Sequence, residues 1–271
     1  MNRLSVAPLL LAATFLTGCQ HVPTAEPPTS PASRLETTPR HDEWVDLTHG
    51  ERTLRAYVVY PQRSSLSPVV VVIHENRGLN DWARSVADRL AEEGYIAIAP
   101  DFLSGTAPNG GGTRDYPSED AAREGISRLA RSQVMADLQA TVDYARRIPA
   151  ADKTVSVAGF CWGGSRAWDA ANTITGLEKI FVFYGGGPQE PAGVAQIKSP
   201  VYGFYGGDDA RVNATIPQTQ ALMAGRQLTF DPVIYDGAGH AFMRLGEQPD
   251  ASEANRRAYL QAWGRWLRLL R

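Results

Sequence analysis

The stretch that decides the fold reads TVSVAGFCWGG and covers residues 154–164. Its first five residues are small or β-branched, which is typical of a strand buried on both faces of a parallel sheet. Gly159 and Gly163 then permit a sharp turn, because a Cβ atom at either position would collide with neighbouring backbone. A helical pattern follows over residues 163–172. The segment therefore predicts a strand, a tight turn and a helix, with Cys161 at the turn.

The rest of the chain alternates predicted strands and predicted helices. The strands are expected at residues 44–48, 53–60, 69–73, 95–99, 154–158, 180–184, 201–205 and 228–235. The helices are expected at residues 81–94, 118–147 (as one or two helices), 163–172, 215–225 and 251–270. This alternation predicts an α/β fold with a mainly parallel central sheet and helices on both faces. Ligands of such sheets bind at the carboxyl ends of the strands.

Composition narrows the possible partners. The 271 residues carry a net charge of −2, and no basic stripe stands out, so we expect no nucleic-acid partner. A chain of this length can bury a core without disulfides or metals. We expect no metal site.

The first residues read as an export signal. Residues 1–18 combine a short basic start with an apolar stretch that is too short to span a membrane with flanks. The sequence Leu16-Thr17-Gly18-Cys19 is similar to the lipobox of bacterial lipoproteins. This resemblance implies cleavage before Cys19, a lipid on that cysteine and anchoring to a bacterial membrane. A following Gln20 rather than aspartate favours the outer membrane, if the cell has one. The alternative is a plain secretory signal with an incidental cysteine.

A proline-rich segment separates this signal from the predicted domain. Residues 19–41 hold the candidate lipidated cysteine and five prolines among threonine, serine and alanine. Proline stiffens such a segment and disfavours helix and sheet, so we expect a disordered tether. The folded domain is expected to cover residues 42–271.

The segment around Cys161 resembles the G-x-S-x-G nucleophile elbow of α/β-hydrolases, with cysteine in the place of serine. The turn would hold the thiol clear at the edge of the sheet, and the helix N-terminus favours a thiolate. The chain has two cysteines, so lipidation of Cys19 leaves Cys161 without an intramolecular partner. Cys161 is therefore either a small, inert, buried side chain or the nucleophile. The strand and the spaced glycines favour the nucleophile.

Two further residues are candidates for a catalytic triad. The order along an α/β-hydrolase chain is nucleophile, acid, histidine. His240 is the one histidine after Cys161, and it follows the last predicted strand. The acid should follow the strand before that one, where Asp208 and Asp209 compete. The usual G-x-x-D-x-x-V spacing favours Asp209, with Asp208 as a turn residue.

Three motifs together resemble the dienelactone hydrolase family. They are HENRGL at residues 74–79, GFCWGG at residues 159–164 and GHAF at residues 239–242. The resemblance spans roughly residues 45–268. It implies an α/β-hydrolase fold and hydrolysis of a small ester or lactone through a thiol, without a cofactor.

The resemblance also implies roles for residues near the thiol. Glu75 matches a glutamate that contacts the resting thiol and helps to activate it; the alternative is a surface loop glutamate. The backbone N–H groups of Asn76 and Trp162 match the oxyanion hole.

The resemblance is incomplete where the substrate binds, because the best-known members of the family bind a substrate carboxylate with two arginines. Arg244 matches one of them, or is a structural residue that ties the histidine loop to the domain. The other arginine would fall near Gly105, where none stands, and Arg114 is a candidate to replace it.

Three functions remain open at this point. The first is hydrolysis of a carboxylic ester or lactone. The second is a catalytically silent surface lipoprotein that binds a ligand or partner. The third is hydrolysis of another bond, by a thioesterase or peptidase, because the fold alone does not decide the bond.

Overall fold

The computed structural model describes residues 30–271; the predicted signal segment and Cys19 lie outside the described residues. One sheet of eight strands runs through the described chain in the order β1-β2-β4-β3-β5-β6-β7-β8. The strands are β1 Asp42–His49, β2 Arg52–Val59, β3 Ser67–Ile73, β4 Ile96–Pro100, β5 Ala151–Phe160, β6 Ile180–Phe183, β7 Val201–Gly206 and β8 Phe230–Tyr235. Strands β3 to β8 are parallel, whereas β2 pairs antiparallel with both β1 and β4. The predicted α/β fold is confirmed.

Helices cover both faces of this sheet. They are α1 Pro31–Thr37, α2 Asp81–Glu92, α3 Glu119–Arg128, α4 Arg131–Arg147, α5 Trp162–Thr173, α6 Ala210–Asn213, α7 Ile216–Ala224, α8 Phe242–Leu245 and α9 Glu253–Leu270. Alternate residues of β3 point to opposite faces, as the twofold period of a strand requires. Val69 and Val71 pack with α4 and α5, whereas Val70 and Val72 pack with α2 and α9. Within residues 30–271, no helix combines the length and apolar character needed to cross a bilayer.

The predicted disordered tether is wrong for residues 31–37, which form α1. Ser30 caps this helix by accepting a hydrogen bond from the Ser33 backbone N–H at 3.1 Å. Pro31 occupies the first turn, where its missing N–H costs nothing, so the proline begins the helix instead of preventing it. Arg34 donates to the fully buried carboxylate of Asp88 on α2 at 2.9 Å, which fastens α1 to the domain.

The pattern over residues 118–147 is two helices, α3 and α4, which is one of the two arrangements that the sequence left open. One detail differs from the sequence-based prediction. The short helices α6 and α8 fall where we expected only loops. Asn80 caps α2 by accepting a hydrogen bond from the backbone N–H of Ala83.

Candidate active site

Cys161 lies at a strained turn between β5 and α5. Its backbone has φ 57° and ψ −114°, a combination that residues with a Cβ atom rarely adopt. A Cβ atom at Gly159 would lie 2.0 Å from the carbonyl oxygen of Gly163. One at Gly163 would lie 2.4 Å from the carbonyl oxygen of Ile73. Glycine is therefore needed on both sides of the cysteine, and the thiol emerges half-buried at the carboxyl edge of the sheet.

The structure brings His240 and Asp209 to this thiol. His240 Nε2 lies 3.1 Å from Cys161 Sγ, and His240 Nδ1 lies 2.5 Å from Asp209 Oδ2. Asp209 follows β7 and is buried, and its second oxygen accepts from the Val212 backbone N–H at 3.3 Å. The side chain of Asp208 is exposed. Of the two competing aspartates, the structure therefore places Asp209 against the histidine.

The surroundings of His240 favour its protonated form. The hydrogen bond with Cys161 is the largest influence and raises the pKa of His240 to about 9. Burial acts in the opposite direction, and the hydrogen bond with Asp209 adds to the increase. A cationic imidazole beside the sulfur stabilises a thiolate, which is the nucleophilic form of cysteine.

Glu75 is not a surface residue, because only 3% of it is exposed. Its Oε1 accepts from the Tyr184 hydroxyl at 3.1 Å, and its Oε2 accepts from Arg244 Nε at 2.9 Å. Both carboxylate oxygens are thus engaged, and the thiol faces His240 in this structure. Tyr184 escaped the sequence analysis, although its place at the carboxyl end of β6 was a usable signal. Burial and the nearby Glu75 hold the pKa of Tyr184 well above its usual value.

Arg244 lies on α8 and does not line the cavity around Cys161. Its ion pair with Glu75 ties the histidine loop to the loop after β3. This geometry favours the structural interpretation of Arg244 over the substrate-binding one. Arg114 is exposed and lies in another groove near Asp81, and Gly105 lies in a third groove near Arg52. Neither position supplies an arginine to the Cys161 cavity.

The cavity at the thiol has a volume of about 300 Å³. Cys161 and His240 line it, together with two arginines that the sequence analysis missed, Arg123 and Arg211. Arg123 is held by Asp120 on its own helix at 2.6 Å. Arg211 is exposed and makes no ion pair within residues 30–271. No sequence motif marks either arginine, because α3 and α6 reach the cavity only through the tertiary fold.

Two residues that line the same cavity have unpaired backbone N–H groups. Asn76 and Trp162 both line it, and neither backbone N–H donates to a protein acceptor in the described part of the chain. Trp162 is the first residue of α5, where no helical acceptor exists. Two unpaired backbone donors near a thiol are an arrangement that can stabilise an oxyanion during acyl transfer. Among residues 30–271, no cluster of three or more His, Cys, Asp or Glu side chains is arranged to hold a metal ion.

Helices on both faces of a mostly parallel sheet, with a sharp elbow at the end of a central strand, define the class of α/β-hydrolases. Residues 54–271 match the model of the dienelactone hydrolase family, and the chain belongs to that family. It is therefore a hydrolase, as the resemblance in the sequence implied.

Known relatives agree with this assignment. A Yersinia pestis protein described as a "putative carboxymethylenebutenolidase" is 33% identical over 204 residues, covering 70% of this chain and 74% of the relative. A Methylorubrum extorquens protein of the same description is 32% identical over 209 residues, covering 73% and 71%.

Solved structures show the same fold. A Klebsiella pneumoniae structure described as a "putative dienelactone hydrolase" has a TM-score of 0.72 and 25% identity, covering 85% of this chain and 99% of that one. A dienelactone hydrolase-like promiscuous phosphotriesterase from metagenomic libraries also has a TM-score of 0.72, with 26% identity over 85% and 97% of the two chains.

Proposed function

We propose that this hydrolase cleaves a carboxylic ester or lactone through a triad of Cys161, His240 and Asp209. The observation that carries the proposal is the continuous contact from Sγ through the imidazole to the carboxylate, at 3.1 Å and 2.5 Å. Asp209 accepts from Nδ1 and so leaves Nε2 facing the sulfur. This sequence of contacts supports acyl transfer by the thiol, with His240 as the base and Asp209 as the acid.

The reaction follows in two steps. The Cys161 thiolate attacks the carbonyl carbon, and the carbonyl oxygen takes the negative charge beside the backbone N–H groups of Asn76 and Trp162. The C–O bond to the alcohol breaks as the His240 imidazolium donates its Nε2 proton to the leaving oxygen. Neutral His240 then takes a proton from water, which attacks the thioester and releases the acid and the thiolate. For a lactone, the alcohol and the acid remain in one product.

Glu75 has a supporting role in this proposal. Its buried carboxylate is bonded to Tyr184 and Arg244, and the Tyr184 ring lies 5.2 Å from the His240 ring in an edge-on contact. The carboxylate can therefore orient the residues around the histidine loop. In this structure the Cys161 thiol contacts His240 Nε2 at 3.1 Å.

A substrate panel tests the proposal and separates it from its alternatives. Purified full-length chain is assayed on p-nitrophenyl esters, small lactones, acyl thioesters and peptides, with Cys161→Ala as the control. We expect turnover of esters or lactones that the alanine variant loses by roughly 10³-fold or more. Turnover of thioesters or peptides alone would assign another bond. Absence of turnover on all four classes would favour a binding protein.

We also propose that Cys19 carries a lipid that anchors the enzyme to a bacterial membrane. Support comes from the sequence, where Leu16-Thr17-Gly18-Cys19 directly follows an apolar segment. The small-molecule substrate would then be met at a membrane surface.

A further inference from the structure

A buried histidine beside the site takes no part in the triad. His74 follows β3 directly and is fully buried. Its Nδ1 lies 2.7 Å from the backbone carbonyl oxygen of Glu75. A carbonyl oxygen can only accept, so Nδ1 carries the proton and donates it. Burial lowers the pKa of His74, which keeps the ring in this neutral form.

The Glu75 carbonyl that accepts this hydrogen bond belongs to the same peptide group as the Asn76 N–H. A peptide group is planar and trans, so its C=O and N–H point in opposite directions and turn together. A hydrogen bond that fixes the Glu75 carbonyl therefore also fixes the direction of the Asn76 N–H. The same bond polarises the peptide and makes its N–H a stronger donor.

His74 also contacts the residue that supplies the second donor. Its ring is stacked on the Trp162 indole, with centroids 5.6 Å apart and planes 15° apart. Phe102 meets both rings edge-on and completes the packing. The second ring nitrogen, Nε2, is buried and has no hydrogen-bond partner in the described part of the chain. An unpaired buried nitrogen is unfavourable, so apolar packing alone does not explain a histidine here.

We propose that His74 is a positioning residue of the oxyanion hole, which aims the Asn76 N–H through the Glu75–Asn76 peptide and holds Trp162 through ring stacking. The inference rests on the proposed function, because it assigns both N–H groups to the reacting oxygen. His74 itself does not touch the substrate.

A matched pair of variants tests this role. His74→Asn places an amide N–H close to the position of Nδ1, whereas His74→Leu has the same branched shape and no donor. Both variants lose the stacked ring, so the difference between them reports the hydrogen bond. Each is measured for kcat and KM on a p-nitrophenyl ester. Each is also measured for affinity toward a trifluoromethyl ketone, which forms an oxyanion adduct with the thiol.

Alkylation of Cys161 by iodoacetamide provides the control, because this displacement builds no oxyanion. We expect His74→Leu to lower kcat about 10- to 100-fold and to weaken ketone binding in parallel, with KM changed less than about threefold. The kcat of His74→Asn should exceed that of His74→Leu by about tenfold or more. The alkylation rate should stay within about threefold of wild type in both variants, which shows that the triad and the fold persist.

Different results overturn the inference. Equal losses in the asparagine and leucine variants, or unchanged ketone affinity in the leucine variant, would exclude an orienting hydrogen bond. A fall in alkylation that matches the fall in turnover would show that His74 supports the fold as a whole. If wild type hydrolyses no ester, the proposed function fails instead, and ketone binding still decides the role of His74.

Discussion

His240 Nδ1 contacts Asp209 Oδ2 at 2.5 Å, while the adjacent Asp208 carboxylate is exposed. The two aspartates therefore form a matched pair of targets. Asp209→Asn should lower kcat/KM by roughly 10²- to 10⁴-fold, because an amide no longer holds the histidine in its productive tautomer. Asp208→Asn should stay within about twofold of wild type. Steady-state kinetics on one ester measures kcat/KM for both variants. A larger loss in Asp208→Asn than in Asp209→Asn would make Asp208 the acid of the triad.

The charge of His240 should depend on the neighbouring thiol. An NMR titration of the wild-type ring should give a pKa of about 9, because the Cys161 contact is the largest cause of the increase. In Cys161→Ala the pKa should fall back toward 6.5. A ring that still titrates near 9 without the sulfur would instead assign the shift to Asp209.

The same shift predicts a pH dependence of stability. The pKa of His240 is higher in the folded chain than in the unfolded chain, so protonation of the ring stabilises the fold. The contribution is complete below pH 6.5, declines as the pH rises and is lost above about pH 9. Allowing for the partly exposed ring, it amounts to about 1–2 kcal/mol. Urea unfolding of wild type and His240→Gln at pH 6 and pH 9.5 should show a larger difference at pH 6.

Loss of Arg244 should act through stability. Arg244→Ala leaves the buried Glu75 carboxylate without its cation and should lower the free energy of unfolding by about 2–4 kcal/mol. We expect kcat/KM to fall alike for a neutral ester and for a matched ester with a carboxylate. Arg211→Ala is the control, because Arg211 is exposed and should change stability by less than about 0.5 kcal/mol. A loss in Arg244→Ala confined to the acidic ester would restore the substrate-binding interpretation.

The segment between α1 and β1 should contribute measurably to stability. Arg40 donates to the buried Asp88 carboxylate at 2.8 Å through both Nε and Nη2. Arg40→Ala should lower the free energy of unfolding by about 1–3 kcal/mol, because a buried carboxylate loses two charged donors. Arg128→Ala removes an exposed pair with Glu124 and should cost less than about 0.5 kcal/mol. Equal melting temperatures for the two variants would mean that the contact between Arg40 and Asp88 contributes little.

The anchor proposal concerns Cys19 and can be checked by mass spectrometry. Cys19→Ser should abolish lipid attachment and leave unprocessed or released protein in the cell. The wild-type mature chain should begin at a diacylated or triacylated Cys19. An unmodified cysteine at that N-terminus would support a plain secretory signal.

Sequence patterns predicted the features that depend on local chemistry. The strands of the sheet carry β-branched runs, and the elbow at Cys161 carries the glycines that its backbone geometry demands. The order of nucleophile, acid and histidine then predicted which side chains would meet. The structure places Asp209, rather than Asp208, against His240, as the spacing favoured.

Side-chain contacts between residues that are far apart in the sequence could not be predicted. Glu75 and Arg244 are 169 positions apart, and no sequence pattern indicates that the two side chains form an ion pair. Helix α1 was not predicted, because a proline-rich composition is typical of extended chain. In this segment Pro31 lies in the first turn of the helix and Ser30 caps it, so the proline does not interrupt the helix. The partner that stabilises it, Asp88, lies in a different helix.

The backbone of Cys161 has a consequence for how this protein could change over generations. A non-glycine residue in such a conformation costs on the order of 1–3 kcal/mol, whereas glycine adopts it with little strain. Cys161→Gly would therefore relax the chain while removing its thiol. At this position, selection for stability favours glycine, whereas selection for catalytic activity favours cysteine. A descendant that no longer needs turnover would drift toward glycine here, and it would tolerate heat better than its ancestor.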